Sequence, residues 1–142
     1  MLTLSIHQLN NYPAVKPPST VDIDLPDGVG DEEYLERLRD AMVTLVEGFR
    51  PELVLYVAGA DPYYQDQLGG LNLTLDGLRA RDHLVMETAL QNHAAVAVTF
   101  AGGYAYDIAD TVTIHCNTIY AARDVLQEVR WRPARTARRF RR

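Results

Sequence analysis

Two apolar runs, each followed by a turn of small residues, constrain the fold of this chain most strongly. Residues 53–57, LVLYV, lead into AGADPY, and residues 94–100, AAVAVTF, lead into AGGY. Short apolar runs of this kind predict strands buried on both faces. Segments with helical periodicity separate them, and strands that alternate with helices predict an α/β fold with a parallel sheet.

The remaining segments complete the predicted order of elements. Residues 2–6, LTLSI, and 21–25, VDIDL, predict two further strands. We expect Asp31 to cap a helix that begins at Glu32, Thr74 to cap a helix that reaches about residue 92, and a last helix over roughly 108–128. The predicted inward faces comprise Leu35, Leu38, Met42, Leu45, Val46 and Phe49 in the first helix, and Ile108, Val112, Ile119, Ala122 and Leu126 in the last.

Length and composition fit one globular domain. The chain has 142 residues, of which 47% are hydrophobic. It contains no apolar stretch of 18 or more residues, and its N-terminus lacks the features of a signal peptide, so we expect no membrane partner. A single cysteine, Cys116, excludes an internal disulfide and favours a reducing compartment. We therefore expect a cytoplasmic protein.

The basic residues are concentrated at the C-terminus. Residues 130–142, RWRPARTARRFRR, hold seven of the 14 Lys and Arg residues and no acidic residue. We therefore divide the chain into a folded domain, 1–129, and a disordered basic tail, 130–142. Such a tail can contact nucleic acid or another polyanion. A solvated terminus is the favoured interpretation, and we expect no nucleic-acid partner.

Asp61 is the first candidate for chemistry because it follows a predicted core strand. In parallel α/β sheets, ligands bind beyond the carboxyl ends of the strands. The carboxylate could bind a metal ion, act as a base or form the turn. Spacing alone favours turn formation, because the loop offers no second ligand at metal spacing. Asp66, five residues further on, is expected to hold the backbone of the loop.

Gly102, Gly103 and Tyr104 follow the other apolar run and form the second candidate. Two glycines permit positive φ and a close approach of the backbone to a ligand, and the Tyr104 hydroxyl could donate to an oxyanion. The favoured alternative is an ordinary tight turn with Tyr104 packed over it. The four histidines form no HxxxH pair, so we expect structural roles for them, and Cys116 is predicted to be a small core residue.

The order of these motifs resembles the zinc-dependent histone deacetylase superfamily. The resemblance covers about residues 2–125 and is closest to the C-terminal part of the bacterial and class IV-like branch, which includes acetylpolyamine and acetoin-utilisation relatives. It implies the three-layer arginase/deacetylase α/β fold and an enzyme that removes acetyl from an N-acetylated amine. The segments that carry it are LTLSIH, NNYP, KPPSTVDIDLPDGVGDEEYLERL, PELVLYVAGADPYYQDQLGGLNLTLDGLRARDHLV and VAVTFAGGYAYDI.

The resemblance also implies roles for individual residues. Asp61 matches one of three zinc ligands, and Tyr104 matches the tyrosine that hydrogen-bonds the substrate carbonyl and stabilises the oxyanion. Ser5 and the carbonyl of Ile6 match ligands of a structural potassium ion. The residues that match the walls of the substrate channel are Tyr12, Leu68, Gly102 and Gly103.

Two features of that family have no match in this sequence. It contains neither the adjacent catalytic histidines nor the D-x-H strand, and Ala101 replaces a family glycine. Catalytic zinc needs three protein ligands, so we expect the chain alone to bind zinc weakly and to be inactive. We expect a truncated reading frame, a misplaced start or a split gene, with a missing N-terminal half. The alternative is an inactive module that assembles or self-associates through an exposed sheet.

Overall fold

The computed structural model describes residues 1–139, without the side chains of Glu47 and residues 130–139. Its elements alternate as the sequence predicts, which confirms the α/β class. None of the helices in this described part is long and apolar enough to cross a membrane. The elements are β1 (Leu4–Gln8), β2 (Val21–Leu25), α1 (Asp31–Phe49), β3 (Leu53–Gly59), α2 (Leu75–Gln91), β4 (Ala95–Ala101) and α3 (Ile108–Arg139).

The strands form two parallel pairs rather than the single sheet that the sequence predicts. β1 pairs with β2, from Leu4 opposite Val21 to Gln8 opposite Leu25. β3 pairs with β4 over seven residues, and Gly59 ends opposite Ala101. Within the described residues these pairs belong to separate sheets. The second pair matters most here, because its register places the two predicted turns side by side.

One face of the β3–β4 pair is open to solvent, so the prediction of a strand buried on both faces is wrong. Leu55 is 71% exposed and Val57 is 62% exposed, whereas Ala58 is fully buried. Side chains alternate between the two faces of a strand, and the described residues cover only one of them. We call the uncovered side the open face; it consists of Leu53, Leu55, Val57, Ala95, Ala97 and Thr99.

Helix α1 buries a stripe that begins at Tyr34, one residue before the predicted first inward residue, Leu35. Tyr34, which is not among the predicted inward residues, is buried, whereas Phe49, which is, lies exposed. The remaining buried positions, Leu38, Met42 and Val46, continue at four-residue spacing, which keeps them on one face. This stripe faces α2 and β2.

Asp31 does not cap α1, because the helix begins at Asp31 itself and its N-cap is Gly30. The Asp31 carboxylate instead accepts hydrogen bonds from the Thr74 amide, at 2.9 Å, and from the Thr74 hydroxyl, at 2.7 Å. Thr74 is the N-cap of α2, as predicted, and its Oγ1 accepts from the Gly77 amide at 3.0 Å. The carboxylate therefore joins the starts of the two helices.

Helix α3 packs against α2 with a face other than the predicted one. Its buried residues are Ile114, Thr118, Ala121 and Val125. The helix carries apolar residues on two sides, and the side with smaller residues contacts α2. The predicted inward residues Ile108, Val112, Ile119 and Leu126 are exposed, Ala122 is half-buried, and Cys116, expected in the core, is exposed as well.

The predicted boundary between domain and tail lies inside α3. The helix continues through residues 130–139, so it includes most of the segment that the sequence predicts to be a separate basic tail. Residues 140–142 lie outside the described part of the chain.

Candidate active site at the carboxyl ends of β3 and β4

The two predicted turns meet at one edge of the β3–β4 pair. The Ala60 amide donates to the Ala101 carbonyl at 2.9 Å, which extends the pairing into the turns. A Cβ atom on Gly102 would lie 2.7 Å from Asp61 Oδ1, so the backbone of the second turn touches the Asp61 carboxylate. Gly102 has φ +62°, a conformation that glycine adopts without strain. Gly103 packs against Ala60.

The Asp61 carboxylate is not used to close its own turn. That turn is closed by the Tyr63 amide, which donates to the Ala60 carbonyl at 3.1 Å. Neighbouring protein atoms desolvate the carboxyl and raise its pKa, an effect that Arg81 and the Asp61 amide partly offset. The Asp61 residue as a whole is nevertheless exposed to solvent. The carboxylate therefore borders open space at the carboxyl end of β3.

Asp66 holds the loop backbone, as predicted. One carboxylate oxygen accepts from the amides of Leu68 and Gly69, and the other accepts from the amide of Tyr104. Tyr104 is not packed over its turn, because it is 59% exposed. Its carbonyl accepts two hydrogen bonds from Gln67, each at 3.0 Å, so the backbone is fixed while the ring faces solvent.

A small cavity of about 100 Å³ lies in front of Asp61. Tyr12, Lys16 and Ile6 border it together with Asp61, so the end of β1 and the end of β3 face the same space. Leu68 does not border this cavity. Its carbonyl accepts a hydrogen bond from the Asn11 side chain at 2.9 Å, which joins the Leu68 loop to the Tyr12 loop. Both Tyr12 and Leu68 are exposed.

The predicted potassium ligands lie on β1. Ser5 Oγ is 2.8 Å from His7 Nδ1, and the other ring nitrogen of His7 is 2.9 Å from an oxygen of Asp24. The Ser5 hydroxyl is therefore engaged by a side chain here. Ile6 borders the cavity at Asp61.

The described residues do not form a complete zinc site. They contain no group of three His, Cys, Asp or Glu side chains that could hold a metal ion. The only histidine that borders the cavity at Asp61, within the described part, is His7, whose Nδ1 pairs with Ser5 and whose Nε2 lies near Asp24. One carboxylate does not satisfy a catalytic zinc ion.

A buried ion pair behind the site was missed by the sequence analysis. Arg81 donates to Asp82 Oδ1 from Nε at 2.9 Å and from Nη2 at 2.8 Å, and both residues are buried. Arg81 Nη1 also donates to the Gly59 carbonyl at 2.7 Å, two residues before Asp61. Burial alone would lower the pKa of Arg81, but Tyr56 and Asp82 raise it overall, so the guanidinium stays charged.

A signal for this pair does exist in the sequence. Arg81 and Asp82 occupy the same helical face as the buried residues Leu78, Val85 and Met86. Charged residues at apolar positions of an amphipathic pattern indicate a paired, buried role.

Comparison with known protein families shows that the family model of the histone deacetylase domain matches residues 1–119 of this chain. The chain belongs to the histone deacetylase family. This confirms the resemblance found from the motifs. An uncharacterized protein of Picosynechococcus sp. is 40% identical over 125 residues, which are 88% of this chain and 42% of that protein. Histone deacetylase 2 of Arabidopsis thaliana is 34% identical over 82 residues, 58% of this chain and 21% of that protein.

Solved structures show the same fold. An acetylpolyamine aminohydrolase from Burkholderia pseudomallei matches 85% of this chain and 37% of its own, with a TM-score of 0.72 and 24% identity. A histone deacetylase homologue from Aquifex aeolicus matches 87% of this chain and 39% of its own, with a TM-score of 0.66 and 24% identity. The chain thus has the deacetylase fold and spans about two fifths of the length of these two structures.

Proposed function

We propose that this chain supplies the C-terminal part of a zinc-dependent deacetylase, which removes acetyl from acetyl-lysine or an acetylpolyamine. The observation that carries the proposal is the contact between the Asp61 carboxylate and Gly102, beside the anchored backbone of Tyr104. Residues 1–119, which contain all three, match the family. An acetylpolyamine aminohydrolase among the structural neighbours supports this substrate class.

Each residue of the site has a role that its placement permits. The Tyr104 hydroxyl donates a hydrogen bond to the substrate oxygen as negative charge develops there, which lowers the barrier most in the transition state. Gly102 and Gly103 leave room for the substrate. Tyr12 and Leu68 present exposed apolar surface for its stem. Asp61 supplies one of three zinc ligands, and the other two come from outside these 142 residues.

Two further assignments belong to the same proposal. Ser5 Oγ and the carbonyl of Ile6 would bind potassium, since a hydroxyl that donates to His7 Nδ1 keeps its lone pairs for a cation. The single cysteine, Cys116, fits a cytoplasmic location.

The chain by itself provides the first test. We expect weak zinc binding and no turnover of an acetyl-lysine peptide or an acetylpolyamine, because one carboxylate does not hold catalytic zinc. Zinc analysis after dialysis and a deacetylation assay measure both. Tight stoichiometric zinc with turnover would contradict this expectation.

Complementation provides the second test. We expect activity when the chain is combined with a family segment that carries the D-x-H motif and the histidine pair. In that complex, Tyr104→Phe should lower kcat by about 10²- to 10³-fold, because it removes one oxyanion donor. Tyr106→Phe is the matched control, since Tyr106 is also exposed and contributes its backbone amide, not its hydroxyl, to the loop. Equal effects of the two substitutions would count against the assigned role of Tyr104.

The open face supports a second candidate function, an inactive module that associates through its sheet. Contiguous apolar side chains on a strand face are typical of interaction surfaces. If this function is right, light scattering should show a dimer that Val57→Lys disrupts and Val43→Lys, on the exposed side of α1, does not. A monomer at all concentrations would exclude self-association.

A further inference from the structure

Asp66 connects two segments of the site that are 38 residues apart in sequence. Its side chain is only 7% exposed, and every hydrogen bond that it accepts comes from a backbone amide. Oδ1 accepts from Leu68 and Gly69, both at 2.8 Å, and Oδ2 accepts from Tyr104 at 2.8 Å. Backbone amides stabilise a buried carboxylate in this way without a cationic partner.

Backbone pairing on both sides of Asp66 continues the connection. The Gln67 amide donates to the Tyr104 carbonyl at 3.0 Å, and the Tyr106 amide donates to the Gln65 carbonyl at 3.1 Å. Asp66 itself forms an antiparallel bridge with Ala105. We call residues 65–69 and 104–106 together the rim unit. Neither segment belongs to a helix or strand of its own, so the rim unit depends on these mutual bonds.

We propose that Asp66 is a positioning residue, which couples the Leu68 loop to the Tyr104 turn so that both sides of the substrate channel are held as one unit. This inference rests on the proposed function for its catalytic meaning. Tyr104 is 59% exposed, and the hydrogen bonds described for it are made by its backbone, so the anchored backbone sets the position from which its side chain extends. A displacement of about 1 Å at such a group can cost about 10²-fold in rate.

The chemistry of the side chain explains why a carboxylate is used. Two oxygens are needed, because amides approach from two segments at once. An asparagine has one acceptor oxygen, and its NH₂ group would face an amide donor. Asp66→Asn therefore keeps the hydrogen bonds to one segment, either Leu68 and Gly69 or Tyr104, and loses those to the other. Asp66→Ala loses the hydrogen bonds to both segments.

Amide hydrogen exchange measured by NMR on the full chain tests the coupling without zinc or substrate. The informative amides are those of Gln67 and Tyr106, which bond backbone carbonyls across the rim unit and do not touch the Asp66 side chain. If Asp66 couples the two segments, Asp66→Asn and Asp66→Ala should speed exchange at both amides about tenfold or more. The amide of Val85 in buried α2 reports global stability and should change less.

Asp107→Asn is the matched control. Asp107 also accepts a backbone amide, that of Ala109 at 2.9 Å, but it joins no two loops. We expect wild-type exchange at Gln67 and Tyr106 in this variant. Unchanged exchange at these two amides in the Asp66 variants would overturn the proposal, as would an equal increase at Val85.

The complemented enzyme separates this inference from the proposed function. There, Asp66→Asn should lower kcat about 10- to 100-fold with little change in KM, because it displaces a group that acts in the transition state. If complementation gives no activity at all, the proposed function fails while the exchange result still stands. Active enzyme with an unaltered kcat in Asp66→Asn would overturn the positioning role alone.

Discussion

Asp82→Ala should be among the most damaging single substitutions in this chain. Asp82 has no exposed surface and accepts hydrogen bonds from Arg81, Tyr56 and Thr118. Its removal leaves the Arg81 guanidinium buried and charged. Loss of one partner of a buried pair costs about 3–5 kcal/mol, which is a large part of the roughly 5–15 kcal/mol that stabilises a domain. Asp82→Asn, which keeps the shape and some hydrogen bonds, should cost about 1–3 kcal/mol.

Urea unfolding followed by circular dichroism measures these free energies. The control is Arg37→Ala, which removes an exposed pair with Glu33 on α1 and should change the free energy of unfolding by no more than about 0.5 kcal/mol. If the unfolding free energy falls with urea at the same slope in wild type and in Asp82→Ala, the substitution has changed stability alone. A loss below about 1 kcal/mol in Asp82→Ala would refute the view that the pair is a closed, buried unit.

Three further predictions follow from single contacts. Gly102→Ala should destabilise the chain by about 1–3 kcal/mol in urea unfolding, because its Cβ meets Asp61 at a positive φ; Gly48→Ala, with open space around its Cβ, should not destabilise it. Lys16→Met should speed proteolysis within residues 9–19 several-fold, since the Lys16 ammonium donates to three carbonyls of that loop; unaltered cleavage would contradict this. Burial raises the pKa of Tyr34 above 10.0, so the unfolded state loses its proton first and the free energy of unfolding should decrease as pH rises above about 10. Tyr34→Phe should make that decrease less steep in urea titrations.

The strand positions could be predicted because apolar runs and turn residues are local signals. The predicted strand at residues 21–25 agrees with β2, and the run at 53–57 lies within β3. Burial of the faces could not be predicted in the same way. Leu55 and Val57 are apolar, as core residues of a strand are, yet both are exposed. Whether another segment covers such side chains depends on how the helices and strands pack together, which a local pattern does not contain.

The packing of α3 shows a second limit of sequence patterns. Apolar residues occur on two sides of this helix, so periodicity does not select one of them. Burial of Thr118 is tolerated because its hydroxyl donates to Asp82 at 2.6 Å, a contact between residues 36 positions apart. Such pairings depend on tertiary structure, as does the bond from Asn11 to the Leu68 carbonyl that joins two loops of the site.

The core of the candidate site was predictable for a simple reason. Both Asp61 and Gly102 follow parallel strands, and the carboxyl ends of parallel strands meet at one edge of a sheet. The bonds of Asp66 to the loop were also expected from its turn chemistry. Its bond to Tyr104 was not, because it crosses from one strand end to the other.

The register of β3 against β4 restricts where insertions and deletions can be tolerated. Each strand has seven residues, and Gly59 must end opposite Ala101 for Asp61 to touch Gly102. One residue added within either strand would shift one turn along the other by about 3.3 Å and reverse the faces of the side chains beyond it. The turn that joins α2 to β4, at residues 92–94, lies outside both strands, so its length does not change their register. We therefore expect length variants to be accepted at that turn and rejected within the two strands.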